Sequence, residues 1–292
     1  MKLRPIFFAL LAAALCPFVQ TPLLAADAPK PLKVLLITGG CCHDYAKQKD
    51  ILKAGLEARA NVVVEFAHSD DKSTKPPLEI YGNPDYAKGY DLVIHDECSA
   101  GVNDQAVIDG VLKPHRDGLP GVNLHCAMHS YRIGNAKETA DPKTPHGQWF
   151  DYLGLQSSGH GPQAPIEITY TTAEAAITKG LANWTTIKEE LYNNVQVYPG
   201  AKTVANGRQI AKKKIKQPDG TETFEEKEEN FVVAWTNLYN GKTRVFSTTI
   251  GHNNETVADA RYLDLVTNGV LWATDKLGAD GKPKGGFGPG GK

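Results

Sequence analysis

The stretch Lys33-Val34-Leu35-Leu36-Ile37-Thr38, which runs straight into Gly39-Gly40, decides the fold of this chain. It is continuously apolar and rich in branched side chains, as a strand buried on both faces must be. The glycine pair ends it, and an amphipathic helical pattern follows from Tyr45 to Ala60, with Ile51, Leu52 and Leu56 on one face. The same alternation continues outward. Asn61-Val62-Val63-Val64-Glu65-Phe66 reads as a second strand and Asp91-Leu92-Val93-Ile94-His95 as a third. A helix carrying Val107, Ile108, Val111 and Leu112 comes next, and Gly121-Val122-Asn123-Leu124-His125 is a fourth strand. Strands alternating with helices predict an α/β fold with a mostly parallel central sheet covered on both faces.

The second half is less regular. Residues 165–170 and 190–197 read as strands, and Asn240-Gly241 between residues 231–235 and 243–248 is a strong hairpin signal. The charged stretch from Lys212 to Glu229, with Asp219-Gly220 inside it, reads as a solvated hairpin tip. An amphipathic closing helix spans residues 259–277, with Leu263, Val266, Val270 and Leu271 inward. No internal repeat or linker divides the chain, so residues 33–277 are expected to form one α/β domain. The Gly- and Lys-rich residues 278–292 are expected to be disordered.

Before that domain, Lys2 and Arg4 precede an apolar run from Ile6 to Leu15, and Ala25, Ala26 and Ala28 offer cleavage sites. This order predicts a signal peptide over residues 1–28 and a periplasmic or secreted product. Nothing later is long and apolar enough to suggest stable membrane insertion. The chain carries 33 acidic and 32 basic side chains, a balance that gives no reason to expect a nucleic-acid partner. Export permits disulfides among Cys41, Cys42, Cys98 and Cys126, whose spacings match no zinc finger or ribbon.

In an open α/β sheet, ligands bind beyond the carboxyl ends of the strands. His43 and Asp44 follow the first strand, His68 and Asp70 the second, and His95, Asp96 and Glu97 end the third. His125 ends the fourth, and His252 follows the strand around Val245. Five of the nine histidines thus stand just past strand ends, while His115 and His146 look like surface residues. Histidines with carboxylates supply either an acid/base set near neutral pH or ligands for a divalent metal. His160, between two glycines, lies on a loop able to reach over the crevice. No G-x-G-x-x-G or Walker lysine is present, so no nucleotide cofactor is expected. Cys126 after the fourth strand suggests a nucleophile elbow with His125, His129 or His252 as base, but no glycine flanks it.

The blocks Lys33–Gly40 with His43-Asp44, Asn123-Leu124-His125-Cys126-Ala127, Glu189-Glu190-Leu191-Tyr192, Gly241 to His252 and Gly269 to Ala273 resemble the ThuA-like (trehalose utilisation) family. The resemblance runs from about Lys33 to Leu277. It implies a class I glutamine amidotransferase-like, flavodoxin-like three-layer sandwich and a role in carbohydrate metabolism. Some members of that family are associated with 3-keto-glycosides formed by partner sugar dehydrogenases, and bound metal occurs in the wider family. Two departures stand out. Ala175 to Leu181 lacks the His and Pro common in that segment, and Cys126 is not a general family feature. The expectation is therefore a sugar-acting enzyme that hydrolyses or eliminates a glycoside or 3-keto-glycoside. His43, Asp44, Glu97, His125, Glu190 and His252 are its candidate catalytic groups, and His43, His125 and His252 are the candidate ligands of a divalent metal. His95, His160, Tyr192 and Trp235 are placed against the sugar. The alternatives are a non-catalytic sugar-binding module and a Cys126-dependent amidase or amidotransferase-like enzyme.

Overall fold

The structure, a computed structural model, describes Met1 and residues 29–291. The signal peptide read over residues 1–28 therefore lies outside the described residues, apart from Met1. In chain order the strands are β1 (Leu32–Gly40), β2 (Val62–Ser69), β3 (Leu92–Cys98), β4 (Gly121–Leu124), β5 (Leu155–Gln156) and β6 (Ala164–Tyr170). They continue with β7 (Trp184–Glu189), β8 (Gln196–Val197), β9 (Ala201–Lys216), β10 (Glu222–Tyr239) and β11 (Thr243–Thr248). The α-helices are α1 (Tyr45–Glu57), α2 (Gln105–Asp117), α3 (Gln148–Leu153), α4 (Ala175–Thr178), α5 (Asn254–Val257) and α6 (Ala260–Ala273).

Nine strands make one sheet in the order β2-β1-β3-β4-β11-β10-β9-β6-β7. The first five pair in parallel, which is the 2-1-3-4-5 order of a flavodoxin-like sheet. The last four extend it in antiparallel fashion. Side chains alternate across the sheet, as a strand buried on both faces requires. Val34, Leu36, Leu92 and Ile94 pack with Leu52 of α1 and with Leu263, Val266 and Val270 of α6. Their neighbours Leu35, Ile37 and Val93 face the other way, onto Tyr86 and Ala87. On β11, Phe246 joins the α6 side while Val245 joins Ile108, Val111, Trp149 and Phe150 of α2 and α3. The expected layered α/β architecture is present.

Three segments differ from expectation. Residues 190–197 are not one strand: β7 stops at Glu189, and Tyr192 makes a single bridge to His160. The Lys212–Glu229 stretch is a hairpin tip as read, turning at Asp219-Gly220, but its strands are long, since β9 and β10 stay paired from Ala201–Asn237 out to Lys216–Glu222. Its Lys and Glu side chains pair across the ladder; Lys214, for example, pairs with Glu222. The C-terminal residues, expected to be disordered, are laid against the domain. Leu277 bridges to Pro283, Phe287 packs on the core, and the Phe287 carbonyl accepts the Asn61 amide. Asn61 Nδ2 also donates to the carbonyls of Pro29 and Gly286, tying both chain ends to the start of β2.

Candidate functional site

The carboxyl edge of the parallel strands is shaped by backbone that few side chains tolerate. Gly40 has φ 102°, and a Cβ there would run into the Cys98 carbonyl, so only glycine lets β1 leave the sheet this close to β3. His43 stands in the loop that follows. At the end of β4 the chain turns into a short 3-10 helix, His125–His129, and His125 itself has φ 42°. A left-handed histidine is strained, and such strain gathers at functional sites. His252 follows β11, and Glu190 lies one residue past β7.

These four residues meet. The His43 ring lies 4.6 Å from that of His125 and 4.7 Å from that of His252, both edge-on. The Glu190 carboxylate reaches all the other imidazoles around it: 3.5 Å to His125 Nε2, 3.3 Å to His252 Nδ1 and 3.5 Å to His160 Nε2. His125 Nδ1 donates to the Thr249 carbonyl at 2.6 Å, which leaves Nε2 facing the carboxylate. Glu189 fixes the next turn by accepting the backbone amides of His252 and Asn253. A cleft of about 470 Å³ opens against His43, Asp44, His68 and His252.

The electrostatics divide the labour. Burial, reinforced by His125 and His252, pulls the His43 imidazole down to about 2, so at neutral pH the ring is uncharged and one nitrogen keeps its lone pair. Burial pushes the Glu190 carboxyl up, yet hydrogen bonds and charge from the histidines outweigh this and hold it well below the usual carboxylate range. The hydrogen bond that the half-buried His252 donates to Glu190 raises its proton affinity in turn. The buried Nδ1 of His43 has no hydrogen-bond partner.

The other expected residues fall into two groups. Tyr192 lines the site: it is buried, its hydroxyl is 3.5 Å from His125 Nε2, and its ring stacks on His129 and His160. His160 stacks on Tyr192 and touches the Glu190 carboxylate. Asp44 stands at the rim, half-buried, and its carboxylate accepts from Asn254 and pairs with Lys47. The rest are elsewhere. Glu97 and His95 are fully buried and joined to each other at 2.9 Å, and Glu97 accepts from Tyr81 and Tyr131. Trp235 cannot stack on a sugar, because it is fully buried and its indole donates to the Leu153 carbonyl. His115, read as a surface residue, is also fully buried, bonding His95 and the Leu119 carbonyl. Cys126 is disulfide-bonded to Cys98 and buried, and the strained turn position belongs to His125, so the nucleophile elbow is not formed by the thiol.

Sequence reasoning did not single out Glu189, Gln48 or Gln163. Gln48 is buried on α1 and donates to the carbonyls of Gly251 and His252. Gln163 contacts His252 Nε2 at 2.7 Å. A polar residue on the apolar face of α1 was the one available signal for Gln48; Glu189 had its place beside Glu190 in a block that carries the family resemblance, and Gln163 had none.

The ligand atoms of His43, His125 and His252 all lie within 4.8 Å of one another. Three clustered imidazoles, one of them backed by a backbone carbonyl, form a donor set that suits a transition metal such as zinc. In sequence, residues 33–273 match the ThuA family, described as trehalose utilisation. No curated protein matches the chain. Among solved structures, a ThuA-like protein from Parabacteroides merdae is similar, at 21% identity with a TM-score of 0.55, over 84% of this chain and 90% of that one. That likeness concerns the fold, whereas the family match covers most of the sequence: the chain belongs to the ThuA trehalose-utilisation family.

Proposed function

We propose that this chain is a sugar-acting enzyme, and that a 3-keto-glycoside is the substrate class its groups suit best. The observation that carries this reading is the meeting of three imidazoles and one ionised carboxylate at the open edge of a carbohydrate-associated fold. A ketone at C3 acidifies the proton on C2. Removing that proton gives an enediolate, which expels the C1 substituent by elimination. His252 is placed to accept the proton, because it borders the cleft and Glu190 raises its proton affinity. Glu190 then balances the imidazolium. His125, oriented by Thr249, holds the carboxylate in place from the other side. A divalent metal held by His43, His125 and His252 would supply Lewis-acid stabilisation of the enediolate oxygen. With those imidazoles engaged, Glu190 is the basic group that remains.

Export is part of the same proposal. It rests on the N-terminal sequence pattern and on two disulfides, bonds that persist in oxidising compartments. Among the described residues no helix is long and apolar enough to cross a membrane. A 3-keto sugar must be made by oxidation, so a sugar dehydrogenase is the enzyme class that would supply the substrate.

The test is product release from a panel of keto-disaccharides and their unoxidised parents, with elemental analysis of the purified protein. Turnover confined to keto sugars, and lost in His125→Ala and His252→Ala, is expected. Unchanged turnover in both variants would overturn the assignment. Calorimetric sugar binding without product, metals included, would mark a binding module instead.

A further inference from the structure

Four sulfurs gather beside the histidine site, and the proposed sugar chemistry uses none of them. Cys41 and Cys42 form one disulfide in the loop after β1, and Cys98 and Cys126 form another between the ends of β3 and β4. The pairs touch: Cys41 Sγ lies 3.5 Å from Cys98 Sγ, and Cys41, Cys42 and Cys98 all fall within 4.8 Å of one another. The close passage of Gly40 over the Cys98 carbonyl is what brings them together.

Exposure is graded along the four. Cys42 is exposed, Cys41 is half-buried, and Cys98 and Cys126 are only 2% and 6% exposed. Solvent reductants therefore meet the Cys41–Cys42 bond, while the Cys98–Cys126 bond lies behind it. Tyr45 and Ala100 pack around the inner pair.

We propose that these cysteines form a thiol–disulfide relay that accepts electrons from an external dithiol at Cys42 and passes them to Cys98–Cys126. One thiolate of the dithiol attacks Cys42 Sγ, breaking its bond to Cys41 and freeing the Cys41 thiolate. The second thiol of the reductant closes on the first sulfur and releases Cys42 as a thiolate. Cys41 then attacks Cys98 Sγ, and Cys126 leaves as a thiolate. Finally Cys42 attacks Cys41 Sγ, restoring the outer disulfide and releasing Cys98. The dithiol is oxidised to a disulfide and the inner disulfide is reduced to two thiols, with every bond accounted for. Because Cys42 precedes His43 and Cys126 follows His125, the relay ends on two residues tethered to site imidazoles.

The experiment uses the folded full-length protein and dithiothreitol as the probe. Timed alkylation and peptide mapping follow each cysteine, and circular dichroism confirms the fold. In Cys41→Ser the inner disulfide should be reduced at least about tenfold more slowly than in the parent, since the thiol 3.5 Å from Cys98 Sγ is gone. Reduction at the parental rate would overturn the relay. The exposed Cys42→Ser variant guards against a folding defect at Cys41. It leaves Cys41 unpaired without its resolving partner, so peptide mapping should recover a Cys41–Cys98 disulfide and a free Cys126 thiol. Recovery of only Cys98–Cys126 with free Cys41, even after prolonged incubation with catalytic dithiothreitol, would equally overturn it. Neither readout depends on sugar turnover.

Discussion

Two histidine–carboxylate sets lie in the same parallel sheet, and they differ in what their nitrogens do. The inner set joins His95, Glu97 and His115 under Tyr81, Tyr131 and Tyr152. Both ring nitrogens of His95 and of His115 have partners, and all three residues are fully buried. The outer set joins His43, His125, His252 and Glu190 at the strand ends. There His43 Nδ1 lacks a hydrogen-bond partner, and a cleft reaches His43 and His252. The residue types are the same, and only the outer set can offer a ring nitrogen to something from outside. Accessibility, rather than composition, separates a reactive cluster from a structural one.

The comparison breaks most readily at the outer set. His252→Ala should lower turnover of keto-glycosides by about 10²–10⁴-fold, the usual reach of one acid/base group, with little change in melting temperature. A loss below threefold would remove His252 from the chemistry. The inner set should answer oppositely: Glu97→Ala leaves His95 buried without its carboxylate and should cost about 3–5 kcal/mol in chemical denaturation. Unaltered stability there would mean that the inner set is not structural glue.

Acid sharpens the contrast. Burial, with His95 beside it, depresses His115 to about 3 in the fold, against 6.5 in the unfolded chain. Between those values the unfolded chain binds the extra proton, so stability falls as the pH drops from about 6.5 toward 3. One such group contributes at most about 1.4 kcal/mol per pH unit. Denaturation of His115→Gln across this window should show a shallower slope than the parent, and an unchanged slope would contradict the assignment. The smallest effect is ligand-linked. A divalent transition metal should raise the melting temperature by about 2–4 °C per kcal/mol of binding, a shift that His43→Ala abolishes and His95→Gln keeps. A shift that survived His43→Ala would place the ion elsewhere.

Much of the outer set was legible because strand ends can be read from apolar runs and ligands gather past them. His43, His125 and His252 were found that way. Trp235 and His115 were misplaced although each carried a signal. Trp235 closes the apolar run Phe231 to Ala234, whose last two residues are buried in the core. His115 falls on the stripe of Ile108, Val111 and Leu112 at helical spacing, the buried face of α2. Glu190 was named for its place in a block shared with a family, and its residues were misread as a strand. Only the tertiary fold shows that β7 ends one residue earlier, because that end is set by Glu189 accepting amides 63 and 64 residues away. The pairing of four thiols is likewise a long-range outcome that spacing alone cannot dictate.

Asn61 fastens Pro29 and Gly286 together at the amino end of the parallel strands, whereas every histidine of the cluster projects from the carboxyl end. The stretch from Pro29 to Gly291 therefore begins and ends at the pole opposite the crevice. A purification tag or a fused enzyme joined at the carboxyl end starts on the far side of the sheet. Such an attachment would hold the molecule with its mouth outward, so immobilisation through that end is compatible with free access of substrate.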